Sequence, residues 1–178
     1  MKRDFIPGQS VHKFGIGDKQ GRVERSEDPF IPKEGMPETA VCPDCHAIYE
    51  NKRWRIDKEV ADKRKKDEGL ASVLCPACRK IAGDYAEGIV TLRGTFLWKH
   101  EEQIRNLIRH EEAKARGKNP LQRIISMERE GDDLVIRTTE QKLAEHFGRA
   151  VHKAQQGELQ VSWDQDHARC RVFWEREE

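Results

Sequence analysis

Two nearly identical hooks, Val41-Cys42-Pro43-Asp44-Cys45 and Leu74-Cys75-Pro76-Ala77-Cys78, constrain this chain more than any other feature. Each is an apolar residue followed by Cys-Pro-x-Cys. Two residues between cysteines let a tight turn bring both sulfurs to one ion, and two such turns complete a tetrahedral four-thiolate shell. Cys42, Cys45, Cys75 and Cys78 are therefore assigned as the ligands of one Zn²⁺. With its shell full, such an ion has no open position for an activated water, so a structural role is expected. A redox reading of Cys-x-x-Cys expects a single pair opening a helix, and here there are two pairs with proline at the same place. The intervening stretch, 46–74, exceeds the roughly 15–20 residues of compact ribbons, which predicts an insert between the hooks. His46, beside Cys45, is expected at the surface, and Cys170 is expected as a small residue in an alternating strand.

The 178 residues are 36% hydrophobic and 37% charged, a lean core under a heavily charged surface, and a metal helps a small module compensate for that. There is no apolar run of membrane-spanning length, and no apolar signal core follows the first residues, so a cytoplasmic protein without a membrane partner is expected. Clustered thiols also suit a reducing compartment. The net charge of +1 conceals an uneven distribution. Between positions 52 and 66, Lys52, Arg53, Arg55, Lys58, Lys63, Arg64, Lys65 and Lys66 outnumber Asp57, Glu59 and Asp62. A lone basic run is commonly a solvated helix face. Here it is interleaved with Tyr49 and Trp54 beside a metal knuckle, a combination suited to gripping phosphates and stacking on unpaired bases. Arg79 and Lys80, just after the second hook, are assigned to the same RNA-binding set.

Three parts follow along the chain. Residues 1–38, rich in glycine and proline with scattered anchors such as Phe5, Phe14 and Phe30, are expected to form a basic arm without a core of its own. Residues 39–87 form the four-cysteine zinc module, with a helix expected from Ile56 to Glu68. Residues 88–178 carry a different grammar. A β-rich run, 88–94, precedes a helix from Phe96 to Arg116 with Leu97, Ile104, Leu107, Ile108 and Ala115 on one stripe, closed by Gly117 and Asn119-Pro120. Strands 123–128 and 133–138 flank a turn at Glu130-Gly131-Asp132. Thr139 is placed as the N-cap of a helix through Gln156 whose stripe is Leu143, Ala144, Phe147, Val151 and Ala154. A second hairpin, 158–163 with 169–174, ends the chain. The fold class is α+β, with β-α-β-β-α-β-β order, an antiparallel sheet and two helices on one face. Trp98, Trp163 and Trp174 are expected to pack between sheet and helices, and Trp54 to face RNA.

Cys42-Pro43-Asp44-Cys45, Cys75-Pro76-Ala77-Cys78, the strand 88–93 leading to the helix from His100 to His110, and Gly131-Asp132-Asp133-Leu134-Val135-Ile136 leading to the helix from Leu143 to Val151 together resemble the amino-terminal half of the archaeal and eukaryotic nonsense-mediated-decay-three proteins, adaptors that bind and export the large ribosomal subunit. The resemblance covers residues 40–175. The family's zinc region has more ligand pairs, and its barrel domains and nuclear-transport signals have no counterpart here. The resemblance therefore implies a ribosome- or structured-RNA-binding module, in a compact form like that of small bacterial proteins, and does not imply export.

No catalytic constellation emerges. His100 and His110 lie about 1,000° and some 15 Å apart along a helix, too far to share a metal. Glu101-Glu102 and Glu111-Glu112 neighbour Lys99, Arg105, Arg109 and Lys114 as ordinary charged faces do. The segment from Gly15 to Gln20 lacks the remaining glycine and the preceding strand of a phosphate loop. The expectation is a non-enzymatic factor without a small-molecule substrate that binds ribosomes through rRNA and possible ribosomal-protein contacts, its arm occluding a functional centre during stress hibernation or serving subunit maturation. The alternative is a zinc-ribbon adaptor that binds an acidic protein partner.

Overall fold

The computed structural model describes residues 35–57, 70–164 and 168–178. Residues 1–34, in the expected arm, all but the first two residues of the helix expected over 56–68, and residues 165–167 lie outside the described residues. Ile56 and Asp57 are not helical. Among the described residues the chain is α+β, with two sheets, each with its own buried cluster.

The first sheet is a small ribbon of four strands, β1 (Thr39–Val41), β2 (Ile48–Glu50), β3 (Arg53–Arg55) and β4 (Ala71–Ser72), in the order β3-β2-β1-β4. β1, β2 and β3 are antiparallel neighbours, and β4 lies parallel to β1. The β2–β3 turn consists of Asn51 and Lys52, both at positive φ (51° and 61°). That pair of left-handed residues matches the right-handed twist of a two-residue hairpin, and Asn accepts the conformation more readily than most residues. The sequence 48–55 therefore folds back on itself, and Lys52 becomes the tip of a hairpin. Helix α1 (Pro76–Ala82) follows β4.

The second unit contains β5 (Gly88–Arg93), α2 (Thr95–Lys99), α3 (Glu101–Lys118), β6 (Ile124–Glu130), β7 (Asp133–Thr138), α4 (Gln141–Gln155), β8 (Glu158–Trp163) and β9 (Cys170–Glu175). Its element order is the β-α-β-β-α-β-β expected, with the first helix in two pieces. The strand order is β6-β7-β5-β9-β8. The sheet is mixed and not wholly antiparallel, because β5 and β9 run parallel. Parity explains this. Each helical crossover returns the chain to the end from which it left, so β6 runs with β5 and β8 runs with β7. β7 opposes β5, so β8 opposes β5 as well; β9, its hairpin partner, must then run with β5 when it inserts between them.

Val90, Leu92, Leu134, Ile136, Cys170, Val172 and Trp174 alternate onto the helix-facing side and pack against Ile104, Ile108, Leu143, Phe147 and Val151. This is the period-2 face of the sheet meeting the 3.6-period stripes of α3 and α4. Trp174 is fully buried, and its indole N–H donates to the Gln156 carbonyl at 2.6 Å. Trp98 is half-buried, donates to Asp132 O at 3.1 Å and stacks under the Arg129 guanidinium. Trp163 departs from the expected core position: it ends the edge strand β8 and is 36% exposed. Ala154 is exposed in the last turn of α4.

Two further local expectations are corrected. The helix from Phe96 breaks at His100 (φ −120°), whose N–H reaches both Phe96 O and Leu97 O. The short α2 is fixed instead to the chain end: Phe96 N–H donates to Arg176 O, and Thr95 donates through N–H and hydroxyl to Glu177. Thr139 is not the N-cap of α4. Glu140 holds that position without a side-chain bond, and the fully buried Thr139 hydroxyl donates to Leu121 O at 2.6 Å and accepts from the Arg123 N–H at 2.9 Å.

Candidate metal centre

The two hooks are built differently, despite their matching sequences. Cys42 leaves the end of β1 and enters a turn in which His46 N–H donates to Cys42 O (3.0 Å) and Cys42 N–H donates to Ala47 O (2.8 Å). His46 takes a positive φ of 60° to close this turn, and its side chain is exposed. The second hook opens α1. Cys75 is the N-cap, in extended conformation, Pro76 occupies the first turn, where its missing N–H costs nothing, and Cys78 follows within the same turn. One strand-to-strand turn and one strand-to-helix turn thus converge.

The sulfurs of Cys42, Cys45, Cys75 and Cys78 all lie within 4.8 Å of one another, so the four cysteines could hold a metal ion. At a Zn–S distance of about 2.3 Å, a tetrahedral shell sets its sulfurs about 3.8 Å apart; Cys45 Sγ and Cys75 Sγ are 3.6 Å apart. The donor set is four soft thiols, suited to the borderline-soft Zn²⁺. Backbone groups prepare the sulfurs as acceptors: Cys75 N–H donates to Cys42 Sγ and Cys78 N–H to Cys75 Sγ, each at 3.4 Å. Cys42 and Cys75 are fully buried, Cys78 is nearly so, and Cys45 is half-exposed.

The electrostatics of the bare thiols show what a cation would change. The hydrogen bond from Cys75 holds the Cys45 thiol down at about 5, and the same bond, with burial behind it, keeps the proton on Cys75 far above the ordinary thiol range. Burial foremost, then the neighbouring sulfurs, pushes Cys78 up to about 12. Four thiolates cannot crowd together without a counter-charge, and a bound divalent cation reverses this by deprotonating its ligands. Loading the site must therefore displace thiol protons, those of Cys75 and Cys78 among them. Cys170, buried in β9, is pushed up to about 11 by burial and stands apart from this cluster.

The cysteine cluster is wrapped by Ala47, Ala77, Leu74, Trp54 and, from the second unit, Leu121. Trp54 is thus half-buried in the module's small core, with its ring 5.3 Å from that of Tyr49, where the sequence suggested an RNA face. Substituting Trp54 by alanine should lower the stability of the ribbon by about 2 kcal/mol, since it removes a half-buried aromatic wall of the site. Faster metal loss to a chelator and a lower thermal midpoint would report this.

The basic residues separate into groups. Lys52, Arg53 and Arg55 are exposed on the β2–β3 hairpin, with Arg55 paired to Glu50. Arg79 is half-buried on α1. Lys80, expected to contact phosphate, is corrected to a structural residue: it is 8% exposed, its ammonium is 2.6 Å from Glu87 Oε1, and it donates to Thr139 O at 3.1 Å. Lys58, Lys63, Arg64, Lys65 and Lys66 lie outside the described residues.

Sequence reasoning missed the contributions of the second unit to this centre. Arg123 Nη1 donates to Cys78 Sγ at 3.3 Å, and Leu121 covers the cluster. Both follow α3 in a segment whose local signals, Asn119 and Pro120, indicate only the end of a helix. Among the described residues no helix is long and apolar enough to cross a membrane. No protein-family model, curated protein or solved structure matches the chain.

Proposed function

We propose that this chain is a non-enzymatic, zinc-stabilised RNA-binding factor whose target is the ribosome. The observation that carries this reading is the exposed cationic hairpin of Lys52, Arg53 and Arg55, on a ribbon whose adjoining strand β1 leads directly into the four-cysteine cluster. Zn²⁺ held by Cys42, Cys45, Cys75 and Cys78 would fix that ribbon without taking part in chemistry. Rigid display lowers the entropy lost when cations meet phosphates, and rRNA is the polyanion that the family resemblance implies. In the same reading, residues 1–38 reach into a functional centre of the particle, in hibernation or maturation, while the second unit serves as a platform.

Replacing Lys52, Arg53 and Arg55 together by alanine tests the interface. Measured on rRNA fragments by fluorescence anisotropy across a salt series, the variant should bind at least ~10-fold more weakly at low salt, with its log–log salt slope reduced by roughly 2, about 0.7 for each lost contact to single-stranded phosphate. An unchanged slope, with the metal still bound, would remove the hairpin from the interface and favour a protein adaptor.

A further inference from the structure

The metal cluster is not enclosed by the ribbon alone. Contacts through the short segment 121–123, and through Thr139 behind it, join it to the sheet unit. Leu121 packs on the cysteine cluster, and Arg123 Nη1 lies 3.3 Å from Cys78 Sγ. The segment is fixed from behind by the buried Thr139, whose hydroxyl bridges Leu121 O and Arg123 N–H and whose own N–H donates to Arg123 O at 3.0 Å. The carbonyl of that same Thr139 accepts from Lys80 Nζ on α1, the helix that carries Cys78. The loop therefore reaches Cys78 directly and the helix of Cys78 indirectly.

Charge gives the arrangement a purpose. Four thiolates around a divalent cation leave a net charge of about −2, and most of this centre is buried. Within the ribbon, backbone donors fall on Cys42 Sγ, on Cys75 Sγ and, from Ala47, on Cys45 Sγ. Among the described residues, the cationic donor to Cys78 Sγ is the guanidinium of Arg123, which stays charged at any physiological pH and spreads its charge over a plane.

We infer that Arg123, supplied by the sheet unit, is a positioning residue of the metal centre: it neutralises the Cys78 thiolate and makes metal retention depend on the docking of the two units. The inference rests on the metal reading above and adds that the site is bipartite. Metal and docking then stabilise each other reciprocally, since whatever tightens one tightens the other by the same factor. Loss of metal would loosen the segment 121–123, and loss of Arg123 would speed metal loss without touching a ligand.

The test is transfer of Zn²⁺ from the full chain to a chromogenic chelator at fixed pH and ionic strength. Wild type, Arg123→Met, Arg123→Gln and Arg123→Lys would be compared after zinc content is measured. The Arg123 side chain is only half-buried, so the neutral variants leave the sheet core intact, and Gln gives the same comparison should Met fail to fold. Outer-shell partners of metal ligands typically contribute 10–100-fold in affinity. We expect the neutral variants to release zinc at least ~10-fold faster, Arg123→Lys to remain within about threefold of wild type, and hydrogen exchange over 119–123 to rise on chelation of the wild type. Neutral variants releasing zinc at the wild-type rate would overturn the inference, as would Lys failing as fully as Met. A wild-type chain carrying no zinc would instead overturn the metal reading itself.

Discussion

Replacing Cys75 with serine is expected to strip the chain of its metal and unfold the ribbon while leaving the five-stranded sheet in place. Cys75 is fully buried, accepts the Cys78 N–H at the N-cap of α1 and lies 3.6 Å from Cys45 Sγ; serine keeps a capping oxygen there, so the substitution withdraws the thiolate ligand specifically. Among the described residues, the ribbon's buried apolar side chains beyond the cysteine cluster are few, Ala40 and Ile48. Its strands are two or three residues long, and its buried cluster consists of the cysteines with Ala47 and Ala77 at the centre. A structural zinc in a small module contributes about 10–16 kcal/mol of apparent binding energy at neutral pH, far more than so small an apolar cluster supplies. Hydrogen exchange should show residues 35–57 and 70–82 exchanging as unfolded chain, with protection retained over β5, β7 and β9. Metal content below one tenth of wild type is expected. A ribbon that stayed protected without metal would show that its core is sufficient alone.

Substituting Gly94 with alanine should strongly destabilise the sheet unit. Gly94 has φ +105°, a conformation open chiefly to glycine, and an added Cβ would lie 2.1 Å from Arg176 O and 2.7 Å from Arg176 C. Both atoms are backbone and cannot swing aside. The close approach exists because the chain beyond β9 runs along the start of α2, where Arg176 N–H donates to Arg93 O and Phe96 N–H donates to Arg176 O. Left-handed strain and overpacking together give roughly 3–5 kcal/mol of destabilisation. Gly117→Ala is the matched control: it lies in α3 with nothing near its absent Cβ and no positive φ, and should be neutral or stabilising by up to about 1 kcal/mol. Urea unfolding of both variants would measure the contrast, and equal midpoints would contradict the packing described for Gly94.

What was legible in the sequence was what short-range chemistry determines. Ligand spacing within each hook is local, so the four cysteines could be named as one site before any coordinates. The strands and helices of 88–178 follow from apolar periods of two and 3.6, and Gly131, at φ +63°, marks the hairpin turn that the sequence suggested. The β2–β3 hairpin was not read from the sequence, because its two-residue turn at Asn51 and Lys52 carries no glycine and lies inside a basic run. The remainder depended on relations between distant segments. The direction of β9 follows from the parity of two crossovers, which no window of residues contains. Lys80 reads as another surface cation until Glu87 and Thr139 close over it. Arg123 reaches Cys78 across the joint between the units, and nothing near position 123 announces a sulfur.

The central claim, that a metal-fixed ribbon carries this chain onto ribosomal RNA, is tested most directly by sucrose-gradient fractionation of native lysate, following the protein across free, subunit, monosome and dimer fractions with and without ribonuclease and chelator. Our account predicts co-migration with a ribosomal particle that is lost when RNA is digested and weakened when the metal is removed with magnesium kept in excess to preserve the particles. Residence at the top of the gradient under both growth and stress, with zinc still bound to the protein, would contradict it.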